Sequence, residues 1–201
     1  MSDLVLGATG KICTGFSYPY VAKYACNGGT ITYTGAQELA RGVKVDPSID
    51  STSSNKFQAN NQDAEAAPSK FKSGTLKLTV DGLIVDSERF IMGLPTVDTD
   101  GWTSYGDSQA VPYVAVGYIA RFMSGGVESF APTVFPKTMF DQVTVSAESQ
   151  KEEIDWQTQD LTANIYRSEN SNHDWKIVGK DYATEPEALA ALKLKLGVIA
   201  G

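Results

Sequence analysis

Polar and apolar residues alternate without exception from Thr75 to Asp81. Thr75, Lys77, Thr79 and Asp81 are polar, and Leu76, Leu78 and Val80 between them are apolar. Period two marks a strand with one wet face and one buried face. A chain carrying such a strand must supply a sheet whose apolar side is covered. The strand is reached through a polar, Asn/Ala-rich excursion, FQANNQDAEAAPSKFKSGTLKLTVDGL, which spans Phe57–Leu83 and meets the alternating segment at Ser73-Gly74. The stretch from Pro47 to Gly74 reads as one long loop, and structureless segments of that length in a compact domain are usually functional or disordered. A long loop feeding a strand able to lie at a sheet edge predicts a part that reaches a neighbouring molecule.

The rest of the chain also reads mainly as strand. Met1–Phe16 has glycines and no periodicity, and is expected to be an N-terminal arm. Ser17–Ala25 and Thr30–Thr34 are Tyr-rich runs around Asn27-Gly28-Gly29, the composition of a tight hairpin. Ala36–Arg41 is expected to form a helical turn. Val43, Val45 and Ile49 point to a strand that stops near Asp46-Pro47, because proline cannot donate to a ladder. Asp86–Met92 is a short helix stopped by Gly93 and Pro95. Val111–Met123, VPYVAVGYIARFM, is apolar on both faces and predicts a strand buried on both sides. Gly125-Gly126 turns it into Val127–Phe140, which Pro132 and Pro136 mark as an edge or bulged strand. Within Glu153–Arg167 the apolar positions change phase, from Ile154 and Trp156 to Leu161, Ala163 and Ile165. A one-residue slip flips every side chain, so a bulge or break is expected at Gln159-Asp160. Thr184-Glu185-Pro186-Glu187 has the form of a capping box. It opens a helix with Leu189, Leu192 and Leu196 as its apolar stripe and Gly197 as its stop. No internal repeat is evident, and a single domain over residues 17–201 follows the arm.

Composition narrows the function classes. At 201 residues the chain is long enough for one large all-β domain. Its net charge of −7 and pI near 4.7, without a Lys/Arg cluster, argue against a grip on nucleic-acid phosphates. Cys13 and Cys26 have neither zinc-knuckle nor redox-pair spacing and are read as reduced and structural. Residues 1–12 do not read as a signal peptide, and no stretch approaches a membrane span.

Candidate chemistry is sparse. His173 is the sole histidine and lies in the polar run Glu169–Asp174, where a surface loop is expected. One histidine without a cysteine cluster does not make a zinc site. Asp98, Asp100, Gly101 and Asp107 fall at positions three, five, six and twelve of an EF-hand-like loop, which makes the three aspartates candidate calcium ligands. Against that, Thr96 stands where position one wants a carboxylate, and an aspartate at position twelve is too short to bind through both oxygens. A solvated acidic loop, with no metal and no cofactor, is the expected reading. Glu152, Glu153 and Asp155 could act as paired carboxylates, but no cation or aromatic is placed to split their pKa values. Charges that blunt an exposed strand edge explain them better.

Several segments taken in order resemble a known family. They are SYPYVAKY, GAQELARGVKV, FQANNQDAEAAPS with SGTLKLTVDGL, YGDSQAVPYVAVGYI, FAPTVFPKTMF, EEIDWQTQDLTANIY, and a last helix after Ala183-Thr184-Glu185. Together, over about residues 17–197, they resemble the major tail tube proteins of long-tailed, siphovirus-like bacteriophages infecting Gram-positive hosts. The resemblance implies a mainly β fold, a tail-tube-type β-sandwich with barrel-forming sheets, a flanking C-terminal helix and a long inter-strand loop. It implies a structural virion protein without enzymatic activity, assembled in the host cytoplasm into stacked hexameric rings around a DNA channel. The chain itself would then be the main partner, followed by the tape measure protein and the tail terminator and distal tail proteins. DNA would pass without specific binding, and no membrane would be involved. Residues 47–74 fall where that family has its ring-stacking loop, so Phe57, Asn60, Asn61, Asp63, Glu65 and Lys70 become candidate stacking residues. Thr75, Lys77, Thr79 and Asp81 become candidates for the lumen face, with Asp81 or the carboxylates near Glu153 expected to offset Lys77. The alternatives are the tube of a contractile tail or secretion device, a monomeric β-sandwich module binding carbohydrate or protein, and a calcium-dependent enzyme.

Overall fold

A computed structural model of the chain describes residues 10–198 apart from 54, 60–61, 108, 148 and 150–155. The fold is mainly β. One eight-stranded antiparallel sheet carries two helices and is not closed into a barrel. Strand β1 (Ile12–Asn27) turns through Gly28 and Gly29 into β2 (Thr30–Glu38). Both glycines have positive φ, 56° and 81°. A two-residue turn with both residues left-handed matches the twist of its strands, as the Asn-Gly-Gly run predicts. Residues 12–16 of the expected arm are part of β1, where Ile12 pairs with Met123 and Phe16 with Ala120. Residues 1–9 lie outside the described residues.

The expected helical turn at Ala36–Arg41 does not form. Gln37 and Glu38 pair with Val21 and Tyr20, and the Leu39 amide donates to the Pro19 carbonyl at 2.8 Å. The ladder to β1 satisfies the backbone groups a helix would have needed. Strand β3 (Gly42–Ser51) does not stop at Pro47 either. Among the described residues it pairs only with β6 (Phe71–Val80) and forms one end of the sheet, so proline's missing donor leaves no ladder bond unmade on its free side. The span read as one long loop, Pro47–Gly74, is therefore mostly strand. It comprises the second half of β3, a separate two-stranded sheet of β4 (Asn55–Ala59) and β5 (Gln62–Ala67), and the start of β6.

Helix α1 (Val85–Met92) ends on Gly93, where a Cβ would lie 2.0 Å from the Ala110 carbonyl oxygen and φ is 63°. Only glycine fits that position. Strand β7 (Val114–Ser124) crosses the middle of the sheet and is buried on both faces over most of its length, as predicted. A second Gly-Gly turn leads into β8 (Val127–Phe140), which lies between β7 and β9 (Gln159–Ile165) and so is not an edge. The proline signal instead marks a bulge. Val114 and Val116 of β7 face Thr138 and Phe135 of β8, so β8 carries one extra residue around Pro136-Lys137. The phase change at Gln159 is where β9 begins. A short β10 (Ile177–Val178) pairs with β8, and the chain ends in α2 (Glu185–Lys195). No capping box forms there, because the Thr184 side chain makes no cap hydrogen bond.

The sheet runs β2-β1-β7-β8-β9-β6-β3 and curls strongly. Strands near its opposite ends touch, since a Cβ on Gly42 of β3 would lie 2.4 Å from the Phe16 ring of β1. Inside the curl, Val21, Val116 and Phe135 share a core with Leu76, Leu78, Leu161 and Ile165, with Ile91 and Met92 of α1 in the same cluster. A second core lies outside, where Ala188, Leu192 and Leu196 of α2 pack on Tyr20, Ala22, Ala115, Ile119 and Val134. Gly117 permits that approach, because a Cβ there would meet Leu192 Cδ1 at 2.6 Å.

Candidate assembly surfaces

The alternating strand behaves as its pattern requires. Leu76, Leu78 and Val80 are buried, while Lys77 is exposed and Thr75 and Thr79 are half-buried on the opposite face. Register extends that face over three strands. Lys44, Thr79 and Asp160 form one row, Asp46, Lys77 and Thr162 the next, and Ser48, Thr75 and Asn164 a third. Thr79 Oγ1 donates to Asp160 Oδ1 at 2.7 Å, and Lys44 Nζ lies 3.6 Å from Asp46 Oδ2. Asn164 Nδ2 donates to Asp141 Oδ1 at 2.8 Å. The same period-two pattern was present in Lys44, Asp46, Ser48 and Asp50, and in Asp160, Thr162 and Asn164, but the sequence reading did not join those runs to β6.

The Asp81 carboxylate is engaged by Arg41 and not by Lys77. Asp81 lies past the end of β6, where its carboxylate accepts from Arg41 Nε at 2.5 Å and from the Arg41 amide at 3.0 Å. The carboxylate opposite Lys77 is Asp46. Glu152, Glu153 and Asp155 lie outside the described residues.

The sheet ends in strands with one partner each. β2 pairs only with β1, and β3 only with β6, among the described residues. From the β3–β6 end the chain extends into the β4–β5 hairpin. At its neck the Thr52 amide donates to the Lys70 carbonyl at 2.8 Å, and Lys70 returns its amide to Thr52 Oγ1 at 2.9 Å. Phe57 is paired with Glu65 and Gln58 with Asp63, with a register shift between them. Asn60 and Asn61 lie outside the described residues. Below the neck, Trp175 stacks on Phe71 with ring centroids 4.8 Å apart, and Arg167 donates to the Phe71 carbonyl.

A polar cluster that the sequence reading missed pins the 166–176 loop to the sheet. Lys137 is buried on the bulge of β8, 4.2 Å from the Tyr113 ring centroid, and donates to Glu169. Tyr24 donates to the same carboxylate. The hydrogen bonds from Lys137 and Tyr24 hold Glu169 below the usual carboxylate range. Desolvation, with the Glu169 contact, raises the Tyr24 phenol well above its ordinary value. No sequence spacing could have announced this set, because β1, β8 and the loop are brought together only by folding.

The other candidates separate. His173 is exposed in the loop, with Nδ1 3.1 Å from the Ser168 carbonyl. Asp98 Oδ1 accepts the amides of Asp100 and Trp102, which makes it a turn-closing acceptor. Among the described residues Asp98, Asp100 and Asp107 do not come together as a metal-binding group. Cys13 and Cys26 are free thiols. No described helix is long and apolar enough to cross a membrane. No protein-family profile matches the chain, and no curated protein matches it.

Proposed function

We propose that this protein is a structural tube subunit, the major tail tube protein of a long-tailed bacteriophage, and that it acts by self-assembly and not by catalysis. The observation that carries this reading is the open, curled sheet with two singly paired ends and one bare polar face. An unpaired strand presents a row of amides and carbonyls that must find water or another strand. Pairing β3 of one copy with the β2–β1 end of the next would satisfy both rows, and repeating the contact around an axis closes a ring. The subunit sheets would then form a common barrel, with the β3–β6–β9 polar face inward and α2 outside. Hexameric rings, and contact with tape measure, terminator and distal tail proteins in the virion, are what the family resemblance adds.

The polar face suits a conduit for DNA. Lys44 and Lys77 are set among Asp46, Asp50 and Asp160, so no uncompensated basic ring would hold phosphates. Light scattering and negative-stain microscopy of the purified protein test the reading. Rings or tubes of one subunit type are expected. A protein that stays monomeric at high concentration, and is missing from the tube of the parent virion, overturns it in favour of a monomeric binding module.

A further inference from the structure

We infer that the turn carrying Trp102 in one copy docks into an apolar groove on the solvent side of α2 in a neighbouring copy. This rests on the self-assembly reading and names a contact separate from the β2–β3 edge pairing. The groove, of about 540 Å³, is lined by Tyr182, Ala190, Ala191, Leu194 and Val198, together with Glu187 and Lys193. Helix α2 is apolar on two sides. Ala188, Leu192 and Leu196 are buried against the sheet, while Leu194 faces out and is 74% exposed. A helix that is apolar all round is ordinarily covered all round. An apolar groove left open on it has the character of a contact surface.

The occupant follows from the loop between α1 and β7. Trp102 is 73% exposed there, yet its backbone is fixed. Asp98 Oδ1 accepts the amides of Asp100 at 3.0 Å and Trp102 at 2.8 Å, and the Asp98 amide donates to the Trp102 carbonyl at 3.0 Å. Tyr105 donates to Glu88 Oε1 at 2.6 Å and Gln109 Nε2 to the Met92 carbonyl at 2.9 Å, which moors the loop to α1. A large aromatic held out on a preorganised turn loses little freedom on binding, and tryptophan is enriched among the residues that carry interfaces. Charge selects the α2 groove as its receptor. Residues 96–110 contain Asp98, Asp100 and Asp107 and no lysine or arginine. Lys193 lines the groove, and Lys180 Nζ lies 5.1 Å from the Tyr182 ring centroid. Asp181 and Glu185 nearby are engaged by Lys11 and Arg121, which leaves Glu187 facing two cations. Opposite charges at the rim of an apolar contact set its partner and its register. A subunit's turn does not serve its own groove, because Leu94 and Val111 at the ends of the loop pack in the inner core and α2 packs on the outer one, with the sheet between. The contact therefore joins unlike surfaces of two copies.

A benzophenone side chain placed at Glu187 tests the docking in assembled full-length protein mixed from isotopically heavy and light copies. Irradiation is expected to give heavy–light adducts within residues 97–105. Adducts to any other segment, residues 1–9 included, or only within one copy, overturn the docking, as does the absence of heavy–light adducts. Separately, W102S and D100K/D107K are each expected to fold as wild type by circular dichroism but to need roughly tenfold or more protein to assemble. Adding K180E/K193E to D100K/D107K is expected to move assembly back towards the wild-type concentration, because the rim charges are then exchanged and not merely lost. Assembly of W102S at the wild-type concentration, or no recovery in the exchanged variant, overturns the docking and leaves the tube reading standing. If the wild-type protein forms neither rings nor tubes, the tube reading fails first and the docking with it.

Discussion

The two halves of the sheet use the same alternation for opposite ends. On β1, β7 and β8 the outward residues Tyr20, Ala22, Ala115, Ile119 and Val134 are apolar, and α2 covers them. On β3, β6 and β9 the outward residues are Lys44, Asp46, Thr75, Lys77, Asp160 and Thr162, and none of the described helices packs there. The inward faces of both halves belong to one core. One half therefore spends its outer face on stability, and the other leaves it polar, which under the proposed tube role is the face kept for contact outside the subunit. Where a helix ends its cover, the protein's own folding requirement ends with it.

That difference predicts where substitutions hurt. The largest effect is expected at the helix-covered half, where Leu192 is fully buried. Leu192→Ala should lower unfolding stability by about 2–5 kcal/mol in a urea titration, as deletion of a well-packed core side chain does. A loss below that range would mean that α2 is an appendage and the halves are less different than they look.

Removing the hairpin should act the other way. Replacing residues 53–69 with a two-residue turn should change monomer stability by less than about 1 kcal/mol while preventing tube formation, because the cut spares the Ser51–Phe71 pair and both cores. Circular dichroism and microscopy on the same sample check both parts. Unfolding of the variant, or normal tubes from it, would break the assignment of the ribbon end to contact.

On the bare face Lys77→Ala should move stability by no more than about 0.5 kcal/mol. The sharper experiment there is charge reversal. Wild-type protein should not retain DNA at physiological salt. The D46K/D160K variant should bind it, with affinity falling steeply as salt rises, because both cations would then lack opposing carboxylates. Equal retention by both proteins would remove the bare face from the DNA path.

The smallest effect concerns the 166–176 loop. The folded-state pKa of Glu169 is depressed, so its contribution is present above the ordinary glutamate pKa, about 4.3, and is lost as pH falls through the lower folded value. Glu169→Gln should flatten that acid limb of the stability curve and leave the region around neutral pH parallel to wild type. An unchanged acid limb would show that other carboxylates govern it.

Local pattern carried the strands whose two faces differ and the turns whose geometry only glycine satisfies. Thr75–Val80, the Gly28-Gly29 and Gly125-Gly126 hairpins, the doubly buried Val114–Ile119 and the α2 stripe were all legible, because each is set by residues next to one another. Pro136 announced an irregularity but could not say whether it was an edge or an interior bulge, since that depends on β9 arriving on its other side. Ala36–Arg41 looked helical by composition, and the β1 ladder overrode it. The span 47–74 looked like loop because its polar residues hide the pairing of β3 with β6, and among the described residues β3 has a strand partner only in β6. The polar face and the Lys137–Glu169–Tyr24 cluster lay wholly beyond the sequence reading. Each is assembled from strands far apart in the chain, and side chains acquire a common surface or a shared carboxylate only when antiparallel register and the curl of the sheet fix who faces whom.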